Sequence, residues 1–391
     1  LLPAAILMLA FGSLLFAYLP MLGLDADAEE TAATHPAPHP DTSTTPARTQ
    51  PPIPAAKDPT QASHNGNVYA SILPGHFSPA VRGVPERVYV PNSESGTVTE
   101  INPSTFRIIR TFPTGTYDQH ITPGWNLHWL YVNNTASNSL TVLNPRTGRK
   151  VRTIPVPDPY NLYYTPDGTK AIVVAESLQR VDFRNPHTWR LIGSVHIPSA
   201  GPDHLDFTAS GNAFLISCEF TGAVYRVNVH SLRVTGHVDV GGLPVDVKLS
   251  PDGTTFYVAN QGKSGVTMIS ARTLRVIGFI HTGDGAHGFA ISRNTHDLYV
   301  ANRLAGTISV ISFHTHHVIH TWHVGGSPDM LQVSPNGKQL WTSNRYNATI
   351  SVINTHTGQV IKRIAVGSSP HGLTYFPQPG TYSIGHNGVY R

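Results

Sequence analysis

An all-β fold is what this sequence predicts, and three observations predict it. Seven times a short segment ends in one register, at Asn92, Asn134, Glu176, Cys218, Asn260, Asn302 and Asn344, each 42 residues after the last. Within the copies, apolar residues alternate with the period of a strand rather than at helical spacing. The 34 Gly and 32 Pro break up the longer apolar runs of the repeat, which leaves helices almost no room. A strand-built repeat of this length is the pattern of a ring of sheets, and seven copies close naturally: a seven-bladed β-propeller of four-stranded antiparallel blades.

The elements follow in order. Residues 3–24 contain no charged side chain, and at ~1.5 Å per residue a helix of that length spans the ~30 Å apolar core of a bilayer. Residues 1–24 are therefore read as an N-terminal apolar helix, a membrane anchor or a signal peptide. Ala26-Asp27-Ala28 resembles a small-residue cleavage site, but the apolar run exceeds the usual ~7–15 residues of a signal, which favours the anchor. Residues 25–67 are rich in Pro, Thr, Ala and Ser and carry too little apolar surface to offset the entropy of ordering; they read as a disordered tether.

Residues 68–391 form the propeller. Leu298-Tyr299-Val300-Ala301-Asn302 is one β-rich segment, and Thr307-Ile308-Ser309-Val310-Ile311 follows it with its branched residues on one face. A third strand, such as 360–366, ends at Gly367, where the chain is expected to bend free of a Cβ. A fourth opens the next unit after Gly-x-Pro, as in Leu243-Pro244-Val245-Asp246-Val247, and runs into the turn Ser250-Pro251-Asp252-Gly253. One four-stranded sheet cannot bury both faces, so neighbouring units must stack. The innermost column, Gln119, Asn161, Asp203, Val245, His287, Asp329 and His371, begins one strand late. Residues 371–376 are therefore expected to complete the blade begun by 88–92 and to remove the exposed edges; 68–73 is the rival.

Composition narrows the function. Charged residues are 13% of the chain, about half the usual ~25%, and the net charge of +4 includes no basic run. A nucleic-acid partner is not expected, because phosphate-tracking surfaces cluster Lys and Arg. Cys218 is the only cysteine, so there is no intrachain disulfide, Cys-x-x-Cys-His haem attachment or Cys-rich zinc site.

The recurring Tyr-Val-x-Asn at 89–92, 131–134, 257–260 and 299–302, with turns such as Ser250-Pro251-Asp252-Gly253, resembles the YVTN-repeat β-propellers, which include surface-layer-type and exported bacterial proteins. The resemblance covers 89–376, and blades three and four depart from it at Glu176 and Cys218. It implies an extracytoplasmic binding scaffold, secreted or membrane-anchored in the cell envelope. It carries no catalytic residues and leaves chemistry to the site itself.

Propellers present one residue per blade at the same height around a channel, so the ligand-binding candidates at its mouth are Asn161, Asp203, His287, Asp329 and His371, with His120, His204 and Asp246 one residue further on. No cofactor is expected. If a metal such as Zn or Cu enters, His287, His371 and Asp329 are its ligands, since imidazole and carboxylate suit such ions. In repeat proteins such residues more often hydrogen-bond neighbouring turns. Asp206 and Lys248 share a column of adjacent blades and are read as a pair. The histidines at 314, 316, 317, 320 and 323 fall on an outer strand and its turn, where a solvated edge is expected.

A binding scaffold for an envelope protein, peptide or small ligand is the favoured class. The alternatives are a propeller enzyme, lactonase-like or a metal-dependent oxidoreductase, and a structural surface-layer or adhesion protein. No nucleophile with an adjacent base stands out.

Overall fold

The computed structural model describes residues 66–391. The predicted apolar helix at 1–24 and the tether up to residue 65 lie outside them, and among the described residues no helix is long and apolar enough to cross a membrane.

Seven sheets make the ring. Blade one holds β1 (Arg87–Asn92), β2 (Thr97–Asn102) and β3 (Arg107–Pro113); blade two runs from β4 (Asp118–Pro123) to β7 (Lys150–Pro155); blade three from β8 (Asn161–Tyr164) to β11 (Leu191–His196). Blade four spans β12 (Pro202–Phe207) to β15 (Arg233–Asp239), blade five β16 (Pro244–Leu249) to β19 (Val276–His281), blade six β20 (Ala286–Ile291) to β23 (His317–His323), and blade seven β24 (Pro328–Val333) to β27 (Val360–Ala365). Within a blade the strands pair antiparallel in chain order from the channel outward.

Blade one takes its innermost strand from the other end of the repeat. β28 (Thr374–Phe376) pairs with β1, with Tyr375 opposite Val88 and Thr374 opposite Tyr89. The C-terminal strand therefore closes the ring, as the register predicts. The rival segment contains a 3-10 turn, Ala70–Ile72, and lies outside the blades.

The core lies between blades. Val88, Val90 and Ile101 of blade one pack with Met330, Trp341, Ile350 and Val352 of blade seven, and the Phe183 and Phe214 rings meet 6.3 Å apart between blades three and four. Each such aliphatic or aromatic side chain contributes ~1.5–3 kcal/mol when fully buried. The outermost strands are largely exposed; His314, His316, His317, His320 and His323 are all exposed, as expected for a solvated edge.

One expectation needs correction, and one blade carries an addition. Gly367 has no left-handed φ; a Cβ there would come within 2.8 Å of the Asn92 side chain, so close approach, not a bend, demands glycine. Blade three has its four strands and gains two more from the C-terminal tail. β29 (Ser383–Gly385) and β30 (Val389–Tyr390) add to the inner edge of β8, making a sheet of six. Gly385 allows this: at φ +112° its missing Cβ would sit 2.4 Å from the Leu162 carbonyl oxygen and from the Tyr163 Cα.

Candidate functional site

The first strands carry most of the channel residues, and five of these strands share an irregularity that aims them. Pairing slips between Pro202 and Leu205 on β12, and at the matching places on β4, β16, β20 and β24. Such a bulge breaks the alternation of faces, so neighbouring columns both serve the channel. His120, Asn161, Asp203, His204, Asp246, His287, Asp329 and His371 are all buried, none more than 3% exposed.

These candidates separate into two groups. His287, Asp329 and His371 offer ligand atoms within 4.8 Å of one another, and so do His120, His204 and His386. The groups adjoin, the His120 and His371 rings lying 4.6 Å apart. His386 arrives on the C-terminal tail, where its backbone N–H donates to the Leu162 carbonyl at 2.9 Å. It lies beyond the last repeat, so no column announces it.

The first group is electropositive. The Arg303 Nε donates to Asp329 Oδ1 at 2.9 Å, its Nη2 also touches Asp329 and His287, and Arg345 lies 3.8 Å from the other Asp329 oxygen. Burial, with Arg303 and Arg345 beside them, drives the His287 and His371 pKa values well below the ordinary histidine value. The set read from sequence as metal ligands is thus assembled, but its carboxylate is already engaged by a guanidinium.

The second group is flanked by acids. Asp203 Oδ1 lies 2.6 Å from His204 Nδ1, and Asp246 Oδ1 3.5 Å from His386 Nε2. Burial and the neighbouring His204 lower the pKa of His120, and they lower that of His386 to about 4. Burial opposes charge on His204 as well, but Asp203 outweighs it and the pKa rises. Burial would raise Asp246, yet Lys248, His386 and His204 hold it far below the carboxylate range.

One end of the channel is closed. Tyr69 donates to Asp206 Oδ2 at 2.9 Å, Arg391 Nη2 to Asp206 Oδ1 at 2.8 Å, and Gly380 N–H to the His76 carbonyl at 2.9 Å. Both flanking segments thus cover the end where the first strands finish. The expected Asp206–Lys248 pair does not form; Arg391 and the Tyr69 hydroxyl occupy the carboxylate instead.

The other end is a polarised mouth. Glu219, Gln261, Arg303 and Arg345 follow the Asn column by one residue, each 42 residues from the next, with Glu176 alongside. Acids line blades three and four; guanidiniums line blades six and seven. Burial and Asp203 raise the Glu176 pKa and push Glu219 to about 7. One residue further out stand Leu178, Phe220, Leu304 and Tyr346, 45–67% exposed. Sequence reading passed over this rim, although the repeat register announces it. Burial pushes the thiol of Cys218, beneath, up to about 12, which disfavours the thiolate.

Fold and site define a seven-bladed propeller with a histidine-lined channel closed at one end. The chain belongs to the YNCE-like beta-propeller family, whose model matches residues 68–378. No curated protein matches it in sequence. Among solved structures it is similar to the hydrazine synthase of Kuenenia stuttgartiensis, at 18% identity over 68% of this chain and 92% of that one, with a TM-score of 0.60. A functionally unknown protein from Desulfotomaculum acetoxidans gives 15% identity, 74% and 98% coverage and a TM-score of 0.65. A protein from Bacteroides uniformis, provisionally assigned as a 6-phosphogluconolactonase, gives 16%, 74%, 99% and 0.62. At such identities the likeness concerns the fold alone.

Proposed function

We propose that this protein is an exported binding scaffold of the YVTN-repeat, surface-layer-related type, held in the cell envelope by its N-terminal segment. Its open channel mouth receives a charged segment of a partner protein or peptide. The observation that carries this is the rim. Leu178, Phe220, Leu304 and Tyr346 expose apolar surface in one register around Glu176, Glu219, Arg303 and Arg345. Exposed apolar groups ringing a charged concavity mark an interaction site. The low charge content and the apolar run at 3–24 support export.

Envelope extract passed over immobilised wild-type protein is expected to yield a partner that Leu304→Ser with Tyr346→Ser no longer retains. Thermal unfolding of the variant should stay unchanged, since both side chains are exposed. An identical set of retained proteins for variant and wild type would refute the mouth as the site.

A second reading, a metal-dependent oxidoreductase or lactonase-like hydrolase, is favoured by the buried His/Asp groups below the mouth. It requires turnover that ceases on His120→Ala or His204→Ala while partner capture persists.

A further inference from the structure

We propose that His120, His204 and His386 form a binding site for a late first-row transition-metal ion, of copper or zinc type, which the C-terminal tail completes by folding into the channel. This goes beyond the partner-binding reading and does not depend on it.

The donors are of the right kind and are held for the task. Three imidazole nitrogens, one from each ring, lie within 4.8 Å of one another in full burial. Small side-chain adjustments bring such a set onto one ion, at the ~2.0–2.1 Å that imidazole nitrogen prefers with zinc. Each ring also has a polar neighbour. His120 Nδ1 meets the Asn387 Oδ1 at 2.9 Å, which leaves its Nε2 as the lone-pair nitrogen. Asp203 Oδ1 lies 2.6 Å from His204 Nδ1 and Asp246 Oδ1 3.5 Å from His386 Nε2, so a carboxylate stands beside each of these rings. Carboxylate or amide contacts of this sort fix ring orientation and raise ligand basicity at metal sites.

Two further observations point to a ligand. His120 Nε2, both ring nitrogens of His204 and both carboxylate oxygens of Asp203 are buried without any hydrogen-bond partner among the described residues. Buried polar atoms are nearly always satisfied, so orphans on two of the three clustered rings and on the carboxylate beside them call for a partner. The charge balance suits a dication, since Asp203 and Asp246 flank this group. The neighbouring His287–Asp329–His371 set instead faces Arg303 and Arg345, whose guanidiniums would repel a cation.

The test titrates full-length, metal-free protein with Cu2+ and counts the copper retained after gel filtration by mass spectrometry. Electron paramagnetic resonance then reads the donors. One equivalent per chain is expected, with hyperfine coupling to several imidazole nitrogens. His386→Ala and His120→Gln should each retain less than a tenth of it. Asn387→Ala, which frees the His120 ring without removing a donor, should weaken binding roughly tenfold. Changing the exposed His317, His320 and His323 together to Ala should leave binding intact, as should Leu304→Ser with Tyr346→Ser. Failure of the unsubstituted protein to hold copper, or a spectrum without nitrogen coupling, overturns the site even if a variant misfolds. Loss that follows His287→Ala but not His386→Ala would likewise overturn it.

Discussion

Asn302 shows why one amide recurs in the repeat. Its Nδ2 donates to the Thr307 and Ser309 hydroxyls, both at 2.9 Å, and so ties the end of the second strand to the start of the third. Asn92, Asn134 and Asn344 do the same with hydroxyls five and seven residues on. Blade five lacks the first hydroxyl, having Gly265 there, and Asn260 turns away to donate to the Gly241 carbonyl at 2.8 Å. Asn302→Ala strands two buried hydroxyls and should cost ~1–3 kcal/mol, read as a lower urea midpoint at unchanged slope. The column was legible in sequence as a strand terminus. Its role as a clamp was not, because the +5 and +7 hydroxyls gain meaning only once the hairpin register is known.

At the scale of elements, the decisive piece is the tail. An innermost strand leaves unpaired backbone groups facing the channel, and β29 satisfies part of that edge on β8 while carrying His386 into place. Arg391 pins the tail through Asp206. Arg391→Ala would leave the carboxylate buried with only the Tyr69 hydroxyl and backbone N–H groups as partners. Removing one member of a buried ion pair costs ~3–5 kcal/mol, and those remaining bonds place the loss at the lower end. Faster hydrogen exchange at the Gly385 and His386 amides, without unfolding of the blades, is the expected signature. Unchanged protection there would show that the tail is held by its strand pairing alone. Tail and ring closure differ in legibility: β28 obeys the 42-residue register, whereas residues 377–391 have no counterpart in any other blade.

For the molecule as a whole, the ring gathers like charges that would not otherwise meet, and Glu219 reports the strain. Burial and Asp203 raise its folded pKa to about 7, above the ordinary glutamate value. A raised acid pKa means that the fold binds the proton more tightly than the unfolded chain does, so stability falls as pH rises from about 4.5 toward about 7. Glu219→Gln should therefore stabilise the protein at pH 8 and make little difference near pH 4, as measured by chemical denaturation at the two pH values. Equal stability of variant and wild type at pH 8 would show that the mouth does not strain this carboxylate.

Strand count, ring size and the repeated columns that hold the eight candidate residues were written in the sequence, because a propeller repeats its backbone geometry and any side chain in a repeated column must return at the same height. The tertiary structure alone decided which of those residues share a site. Bulges at the start of the first strands turn adjacent columns toward the axis together, Arg303 claims Asp329, and a segment outside the repeat supplies His386. Each of these depends on chain segments far apart in sequence occupying one small volume, and periodicity, a local property of the chain, carries no record of that.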